Sequence, residues 1–489
     1  MEEGHFTEQN VIREIELIKK HSIEKKWKSP TGELFHLNLP HTVYPPREDT
    51  NLLADALIKL GPGKGRKCLE IGIGSGVLSL LCHRQGWKVS GCDINPLAIA
   101  SSIELFSRNS AQEIRVNEGG PGPIKDGSIN QWTNGESYDL IFWNLPYINM
   151  ENITEGVLGP LEDAALIDTS SSSLLCLTLE KIDRFDILNK NGIALFLTGN
   201  KYNDDNLEKI AVKHGFACRI VGKRTFDDSE TIKILALWRP YQNTTKEHVK
   251  NITSTNTELL KTNWKVGSSL SADRQTKGRG RRGRKWINAE EAFACSWKIG
   301  DQSHINPIIL QMICGNLVKK SLDDINEDKE SSLLVLKWPN DILSVNDGIA
   351  GKISGILLES RSTGRQTDMV LGVGININQS TNRNIDFTMS STSSLTEIVD
   401  KKQLQRSIEC RISGLFETIK ELPNTNFKLT LEACIEELNF GFSTPNDLIY
   451  RNKKVKFDNI NQEGLVTLID ENGRTYLCDD GESITWKFN

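Results

Sequence analysis

A basic, glycine-rich stretch is the first feature of this chain that carries chemistry. Residues 278–286 read GRGRRGRKW, with five basic side chains and three glycines. Guanidinium groups bind phosphates and carboxylates through paired hydrogen bonds, and glycines let backbone N–H groups approach a ligand. The whole chain has a formal net charge of -5, so the stretch is a local cluster and not part of an extended polyanion-binding surface. The pattern favours a loop that covers a small anionic ligand, with a solvated loop as the alternative.

A lysine within an apolar segment is the second feature. Residues 348–359 read GIAGKISGILLE and place Lys352 among glycines and aliphatic residues. A lysine in such a strand is costly unless it meets an anion, so Lys352 is a candidate partner for a carboxylate or a phosphate. The alternative is a lysine that extends from an edge strand into solvent. The nearby segment LKWPNDIL adds polar side chains after a predicted strand, namely Lys337, Asn340 and Asp341.

A glycine turn after a predicted strand marks another site in the first half of the chain. The segment LEIGIGSG supplies Gly72, Gly74 and Gly76 where a strand meets a helix, and such glycines let a ligand approach the helix N-terminus. Asp93 ends the next predicted strand, where a carboxylate can accept both hydroxyls of a ribose. The pattern predicts a nucleoside cofactor without distinguishing NAD from S-adenosylmethionine. A plain strand–helix turn with a capping aspartate is the alternative.

The segment FWNLPYI indicates which transfer chemistry this first site performs. Asn144, Leu145, Pro146 and Tyr147 follow a predicted strand, at the edge where ligands of such sheets bind. The Asn144 side-chain oxygen and the Leu145 carbonyl can each accept an N–H bond from an amide or exocyclic amine, which orients its nitrogen toward a methyl donor. Tyr147 can pack on a planar substrate group. An ordinary turn is the alternative interpretation.

Alternating strands and helices must position the first site. Segments such as KVSGCDI and YDLIFWNLPY alternate with helical segments from about residue 67, which predicts a parallel, doubly wound sheet. An amphipathic helix is predicted over residues 8–28. The composition divides the chain into a first domain at 1–240, a polar linker at 241–251, a second α/β region at 252–442 and a small β-barrel-like domain at 443–489.

Composition and local signals exclude several other classes of protein. The ten cysteines form no CxxC pair and no zinc-like cluster, so we predict no metal ligands and a reducing, cytoplasmic location. The first residues, MEEGHFTEQN, are polar and acidic and do not resemble a secretory signal. Since no apolar run approaches the roughly 18 residues needed to cross a bilayer, we expect no membrane association.

Four motifs of the first half resemble HemK-type methyltransferases. VYPPREDTNLLADAL, LEIGIGSG, CDINPLAI and NLPY occur in family order between about residues 35 and 240. The resemblance implies a Rossmann-like class I domain that uses S-adenosylmethionine to methylate a glutamine amide of a peptide chain release factor. One departure is Leu145, where the family usually has proline. The resemblance implies that Asn144 is catalytic and that Asn144, Leu145, Pro146 and Tyr147 bind the substrate. It implies a cofactor site formed by Asp49, Thr50, Glu70, Gly72, Gly74, Gly76, Asp93 and Asn144.

The second half resembles biotin protein ligases. STNTELL, QTKGRGRRGRKW, KWPND, GKISGILLE and GVGININ appear in family order from about residue 250 onward. The resemblance implies an α+β catalytic domain, a small SH3-like C-terminal domain, biotin and ATP with Mg²⁺ as substrates, and a biotin carboxyl carrier protein as partner. The winged-helix domain of some members is not found, so no DNA operator binding is expected. The implied site comprises Ser254, Thr255, Asn256, Gln275, Arg279, Gly280, Arg281, Trp286, Lys337, Asn340 and Lys352, with Lys352 and Arg281 catalytic.

Together the motifs predict a bifunctional enzyme. Biotin would react with ATP to give an adenylate that a lysine of the carrier then attacks, while the first domain would methylate a protein. Four alternatives stay open. The first domain is a non-catalytic scaffold, it methylates the biotin carrier, or it methylates a nucleic-acid adenine, although no basic groove is evident in residues 1–245. The second domain uses lipoate, although the basic loop favours biotin.

Overall fold

The computed structural model divides into two compact units. It describes residues 8–122, 129–146, 173–200, 203–227, 229–284, 286, 291–326, 332–346, 348–364, 366–377 and 399–488, and every count below refers to these residues. The first unit comprises Met1–Arg239 with Thr418–Asn424, and the second comprises Pro240–Glu417 with Thr425–Asn489. No helix in these ranges is long and apolar enough to span a membrane.

The first unit is built on a mostly parallel sheet. Its helices are α1 (Glu8–Lys19), α2 (Glu48–Lys59), α3 (Val77–Arg84), α4 (Pro96–Arg108), α5 (Ile129–Thr133), α6 (Leu174–Arg184) and α7 (Asp204–Lys213). Its strands are β1 (Ile23–Lys28), β2 (Leu34–Leu39), β3 (Lys67–Ile71), β4 (Lys88–Asp93), β5 (Arg115–Glu118), β6 (Tyr138–Asn144), β7 (Leu188–Thr198), β8 (Ala217–Thr225) and β9 (Thr231–Trp238). The sheet order is β5-β4-β3-β6-β7-β9-β8.

The prediction of a parallel sheet is confirmed for five of the seven strands. β3 to β7 run parallel, but β9 inserts antiparallel between β7 and β8. β8 ends at Thr225 and β9 begins at Thr231, and so short a connection can join only antiparallel neighbours. The sequence-based prediction missed both β8 and this reversal.

Both faces of this sheet are covered. Leu140 and Phe142 of β6 belong to one buried cluster with residues of α2, α3 and α4, whereas Ile141 and Trp143 belong to another with residues of α5, α6 and α7. Alternate residues of a strand point to opposite faces, so the two clusters are the two sides of one sheet. This arrangement explains why β6 is apolar at nearly every position until Asn144.

The order of the strands places the first site. β3 pairs with β4 on one side and with β6 on the other, so the chain leaves β3 and β6 in opposite directions along the sheet. Such a reversal opens a crevice at the carboxyl ends of the strands. Gly72 and Gly74 follow β3, Asp93 ends β4 and Asn144 ends β6, and all four therefore meet at this crevice.

The predicted helix over residues 8–28 is too long. α1 ends at Lys19, and β1 pairs antiparallel with β2. In β1 the buried Trp27 lies between exposed lysines, an alternation typical of a strand with one covered face. The tertiary partner β2, which lies beyond the helix in sequence, decides the conformation here.

The second unit contains two sheets. Its helices are α8 (Thr255–Lys261), α9 (Pro307–Asp323), α10 (Lys401–Phe416) and α11 (Phe427–Ser443). The larger sheet has the order β10-β11-β12-β16-β15-β14-β13 and comprises β10 (Lys246–Ile252), β11 (Ser269–Gln275), β12 (Ala292–Lys298), β13 (Ser332–Lys337), β14 (Asp341–Asn346), β15 (Ile349–Thr363) and β16 (Gln366–Asn376). The smaller, of order β20-β19-β18-β17-β21, comprises β17 (Asp447–Tyr450), β18 (Lys453–Ile460), β19 (Val466–Asp470), β20 (Thr475–Cys478) and β21 (Ile484–Lys487).

The predicted linker at 241–251 was wrong in its second half. Residues 246–252 form β10, which pairs parallel with β11 at the edge of the larger sheet. The strand is exposed along most of its length, so its side chains are polar although its backbone is paired. The five strands from 447 to 487 do form a separate sheet, yet their apolar residues belong to the same buried cluster as those of the larger sheet.

Candidate functional sites

The crevice of the first unit is a cleft with an empty volume of about 1210 Å³, open solvent included. That is ample for a nucleoside-sized ligand. Its lining includes Asp49, Thr50, Glu70, Gly72, Gly74, Asp93, Asn144, Leu145 and Pro146. The structure therefore brings these predicted residues together. Tyr147 lies outside the described residues.

Asp93 is fixed by backbone donors. The N–H of Gly74 donates to its Oδ2 at 2.9 Å, and the N–H of Asn95 donates to its Oδ1 at 2.9 Å. Burial raises the pKa of this carboxyl, while the two backbone donors act in the opposite direction. Each oxygen keeps a lone pair for a further donor, so the geometry fits a carboxylate that accepts ribose hydroxyls.

The three predicted glycines do different things. Gly72 and Gly74 line the cleft with φ of 64° and 49°, and a Cβ on Gly74 would meet only the Gly72 carbonyl oxygen, at 3.9 Å. Gly76 is absent from the lining. A Cβ there would lie 2.9 Å from Cβ of Ser102 and 3.0 Å from Phe106 on α4. Gly76 therefore allows the start of α3 to pack closely against α4, while its neighbours Ser75 and Val77 line the cleft, and its part in cofactor binding stays a prediction.

Glu70 is a buried acid on the floor of the cleft. It is 5% exposed, and the Ser79 hydroxyl donates to its Oε2 at 2.5 Å. Burial raises its pKa to about 8, against the opposing effect of the Ser79 hydrogen bond. At neutral pH the acid therefore holds its proton, and a cation in the cleft would favour its ionisation.

Asn144 presents an unsatisfied acceptor. Its Nδ2 donates to Oδ2 of Asp49 at 2.9 Å, while its Oδ1 is buried without a hydrogen-bond partner among the described residues. A buried acceptor without a partner is costly, and it marks a place where a ligand donor would bind. The N–H of the adjacent Leu145 donates to the carbonyl of Leu197 at 3.1 Å, so the turn continues the pairing of β6 with β7.

Thr42 and Tyr44 are two of the lining residues that were not predicted. Thr42 is 1% exposed, and its hydroxyl is a second buried atom without a partner among the described residues. Tyr44 lies beside Asp49, and burial together with that charge raises its pKa. Both precede α2 in an irregular segment, where no periodic pattern marks a binding residue. The unpaired hydroxyl is visible only in the structure.

The second unit holds a cleft of about 1130 Å³ of empty space, open solvent included. The predicted residues that line it are Ser254, Thr255, Asn256, Gln275, Arg279, Gly280, Arg281, Trp286, Asn340 and Lys352. Lys337 lies instead in a neighbouring cavity that shares Asp341, Lys352 and Glu482 with this cleft. Lys337 ends β13 directly opposite Asp341, and its part in ligand binding stays a prediction.

A hydrogen-bond network holds one wall of this cleft. Oε1 of Gln275 accepts the backbone N–H and the hydroxyl of Thr255, at 2.9 and 3.2 Å. The Ser296 hydroxyl lies 2.7 Å from that of Thr255 and 2.6 Å from Oδ1 of Asn256. Nδ2 of Asn256 donates to the Leu357 carbonyl at 3.2 Å. The start of α8 is therefore anchored to three strands, which makes a rigid polar wall.

Lys352 is paired within the cleft. Its Nζ lies 2.5 Å from Oδ2 of Asp341 and 5.4 Å from the ring centre of Trp286. Asp341 is 5% exposed, and its Oδ1 has no partner among the described residues. The prediction that Lys352 meets an anion inside an apolar setting is consistent with this pair. Asp341 was placed near the site by sequence without a role, and it is the residue that balances the lysine charge.

Glycines make room for the indole of Trp286. A Cβ on Gly355 would lie 2.6 Å from its Cζ3, and a Cβ on Gly374 would lie 2.8 Å from its Cζ2. The ring therefore lies so close to Gly355 of β15 and Gly374 of β16 that a larger residue at either position would displace it. Asn340 supports the same wall, since its Nδ2 donates to the Ile356 carbonyl at 2.8 Å.

The basic loop is anchored to the smaller sheet of the same unit. Arg282 contacts Oδ2 of Asp479 at 2.8 Å and Oδ2 of Asp480 at 3.4 Å, and Arg284 contacts Oδ2 of Asp480 at 2.8 Å. Burial raises the pKa of Asp480, but the Arg284 hydrogen bond and the two arginine charges hold it below its ordinary value. No pattern in the sequence signalled this anchor.

Arg281 is one of three arginines of the loop that line the cleft, with Arg279 and Arg284. It is half-buried, and burial lowers its pKa against the charges of Asp480 and Asp341. Within the described ranges no salt bridge or hydrogen bond engages its guanidinium. Arg279 instead lies 3.6 Å from Oε1 of Glu359. The guanidinium of Arg281 is therefore available to an anionic ligand in the cleft. No group of three or more His, Cys, Asp or Glu side chains in the described part of the chain could hold a metal ion.

The family comparison matches the second unit. Residues 247–376 match the model of the biotin/lipoate A/B protein ligase family. The bifunctional ligase/repressor BirA of Escherichia coli is 36% identical over 132 residues, which cover 26% of this chain and 38% of BirA. A biotin protein ligase of Aquifex aeolicus, solved with biotin and ATP, is 25% identical and aligns with a TM-score of 0.40 over 50% of this chain and 99% of that chain.

The first half matches methyltransferases of different names. The ribosomal RNA small subunit methyltransferase C of Alcanivorax borkumensis is 37% identical over 100 residues, which cover 20% of this chain and 28% of that protein. A protein of Methanocaldococcus jannaschii named for N5-glutamine methylation is 32% identical over 113 residues, which cover 23% of this chain and 51% of that protein. The chain thus spans about half or less of these curated relatives.

Proposed function

We propose that this chain, whose residues 247–376 match the biotin and lipoate protein ligase family, joins biotin to a lysine of a biotin carboxyl carrier protein. The observation that carries the proposal is the Lys352–Asp341 pair against Trp286 in a cleft beside an anchored arginine loop. A carboxylate ligand would exchange places with Asp341 at Lys352, and its ring system would lie along the glycine-backed indole.

The positive charges of the cleft suit a two-step reaction through an adenylate. A carboxylate oxygen of biotin attacks the α-phosphorus of ATP, a P–O bond forms and pyrophosphate leaves, giving a mixed anhydride with AMP. The developing negative charge lies within reach of Arg281 and Lys352, which stabilise it. Mg²⁺ would arrive with the ATP phosphates. The carrier lysine then attacks the acyl carbon, an amide forms and AMP leaves.

The loop is expected to protect the anhydride. A mixed anhydride is water-sensitive, and a loop that covers it excludes water. Arg281→Gly is expected to release more free biotinyl adenylate than the wild type. Equal release by the two proteins would show that the loop does not act as a lid.

The test of the ligase is biotin-dependent exchange of labelled pyrophosphate into ATP, which needs no carrier. Biotin should support exchange, and Lys352→Met should abolish it. Exchange supported by lipoate in place of biotin would overturn the biotin assignment, and exchange with neither acid would overturn the ligase.

We propose that the first unit is a class I, Rossmann-like methyltransferase that uses S-adenosylmethionine. The strand order with its antiparallel β9, the oriented Asp93 and the unsatisfied Oδ1 of Asn144 support this assignment. Asp93 and the turn at Gly72 and Gly74 would hold the nucleoside, and the cofactor supplies an electrophilic methyl group. Asn144 Oδ1 would accept an N–H bond from the acceptor nitrogen and orient its lone pair.

We propose a glutamine amide of a release factor as the methyl acceptor. The relative from Methanocaldococcus jannaschii favours a glutamine amide, whereas the relative from Alcanivorax borkumensis favours RNA. Labelled S-adenosylmethionine added with the purified protein to an extract from cells lacking it distinguishes them. Label that depends on Asn144, compared with Asn144→Ala, identifies the acceptor as a release factor, the biotin carrier or a nucleic acid. Absence of such label would indicate a non-catalytic scaffold.

We propose that both reactions take place in the cytoplasm. None of the ten cysteines, all of which lie in the described ranges, forms a disulfide, which agrees with a reducing compartment.

A further inference from the structure

We propose that Asp49 is a positioning residue that fixes the orientation of the Asn144 amide, so that the amide oxygen and not the amide nitrogen faces the methyl acceptor. The inference deepens the proposed methyltransferase function and depends on it. The motif resemblance implied only that Asp49 belongs to the cofactor site.

Hydrogen bonds fix the orientation of the Asp49 carboxylate. Asp49 is 3% exposed at the start of α2. The backbone N–H of Thr50 donates to its Oδ1 at 2.6 Å, and the Thr50 hydroxyl lies 3.3 Å from the same oxygen. The other oxygen, Oδ2, accepts Nδ2 of Asn144 at 2.9 Å. Both oxygens of the carboxylate therefore serve as acceptors.

This arrangement determines which end of the amide is buried against α2. An asparagine amide has one donor end and one acceptor end. Because Asp49 can only accept, the donor end of Asn144 must face it, and the acceptor end must face away. That acceptor, Oδ1, is buried at the cleft without a partner among the described residues. A flipped Asn144 amide would present its N–H groups to the substrate nitrogen that receives the methyl group. Because that nitrogen itself carries N–H groups, no hydrogen bond would form.

The contact also explains how a short turn holds its asparagine in place. The NLPY turn has Leu145 where a second proline would restrict the backbone, so rigidity must come from elsewhere. The Asp49–Asn144 hydrogen bond joins residues 95 apart in sequence and ties the end of β6 to the first turn of α2. Pre-organised groups cost no reorganisation when the reaction occurs.

Exchange of the two side-chain types tests the inference. In Asp49→Asn, the new amide oxygen accepts the Thr50 N–H, and its NH₂ group points at Asn144. Asn144 then turns its oxygen toward position 49 and its NH₂ group toward the substrate. The rate of Asn144-dependent methyl transfer should fall on the order of 10²-fold, as for loss of a pre-organised polar contact, and this factor should greatly exceed any rise in the dissociation constant for S-adenosylmethionine.

The double variant Asp49→Asn/Asn144→Asp restores the pattern. The carboxylate introduced at position 144 accepts with one oxygen from the amide introduced at position 49. It presents its other oxygen to the cleft, and the net charge of the pair equals that of the wild type. The double variant should therefore be faster than Asp49→Asn and also faster than Asn144→Asp, which places two carboxylates together.

A second comparison and a matched control allow the experiment to refute the inference. The comparison with Asn144→Asp stands even if Asp49→Asn alone does not fold. Asp55→Asn changes an exposed acid on the same helix, and as the matched control it should behave as the wild type.

The outcomes separate the two claims. The assay is transfer of label from S-adenosylmethionine into the extract of cells lacking the protein, with cofactor affinity measured by calorimetry. Loss of cofactor affinity in proportion to activity, or a double variant no faster than either single variant, would overturn the positioning role alone. No Asn144-dependent transfer by the wild type would overturn the proposed methyltransferase and this inference with it.

Discussion

Replacing Lys352 by methionine should destabilise the second unit, and removing the charge of Asp341 as well should restore much of the stability without restoring activity. Asp341 is 5% exposed, its Oδ2 is paired only with Lys352 and its Oδ1 has no partner in the described parts of the chain. Lys352→Met therefore leaves a buried carboxylate with no ion pair. Such a change costs about 3–5 kcal/mol.

The lower end of that range applies here. The side chain of Lys352 is 23% exposed, so solvent already screens part of the pair, and we expect about 3 kcal/mol. For a unit of this size, that loss lowers the unfolding midpoint by roughly 6–12 °C. In Asp341→Asn/Lys352→Met no buried charge remains, and the loss should be about 1 kcal/mol, the usual cost of one imperfectly bonded amide.

Stability and activity should separate in this comparison. Thermal unfolding of the second unit and biotin-dependent pyrophosphate exchange would be measured on the same preparations. Both variants should lack exchange, because each lacks the cation that meets the biotin carboxylate. A double variant as unstable as Lys352→Met would refute the argument from the unpaired carboxylate. A Lys352→Met protein that binds biotin like the wild type would refute the role of the lysine.

Three single contacts allow further predictions. Asp480→Asn removes the anchor of Arg284 and should increase release of free adenylate several-fold, and unchanged release by the variant would contradict the anchor. Because the pKa of Asp480 is held low, the wild-type anchor should persist at neutral pH and weaken only as acid protonates this carboxyl. Burial raises the pKa of Glu70 to about 8, so Glu70 should favour binding of cationic S-adenosylmethionine more strongly as pH rises through that value. Its contribution should also lower folding stability as pH rises from about 4.3 toward the same pKa. Calorimetry on Glu70→Gln should show neither dependence. Gly374→Ala places a Cβ 2.8 Å from the Trp286 ring and should weaken biotin affinity about tenfold, with a change in tryptophan fluorescence. Unchanged affinity would mean that the Trp286 indole does not contact bound biotin.

Local sequence patterns were sufficient to predict the position of a site where neighbouring strands of the sheet bring its residues together. Asp93 and Asn144 end parallel strands, and the carboxyl ends of such strands meet at one edge. The sequence therefore located the first cleft without any knowledge of long-range contacts. Likewise, Lys352 was recognised from its apolar surroundings alone, because a charge in such a strand demands a partner.

The remainder depended on contacts that no local pattern contains. Asp49 meets Asn144 across 95 residues, and Arg282 meets Asp480 across 198 residues. The spacing of Gly72, Gly74 and Gly76 is equally ligand-like at all three positions, and only the packing of α4 shows that the last one faces a helix. The polar sequence of β10 predicts a linker, because an exposed edge strand needs no apolar side chains.

The anchor of the basic loop also has a consequence for the order of synthesis. A ribosome produces the loop 198 residues before Asp480, and at ordinary elongation rates of about 5–20 residues per second this interval is on the order of 10–40 s. During that time the loop lacks the carboxylates that hold its arginines. A nascent chain would therefore contain the strands of the proposed biotin site before it could retain a reactive acyl adenylate. Completion of translation through the final sheet would be the event that closes the ligase site.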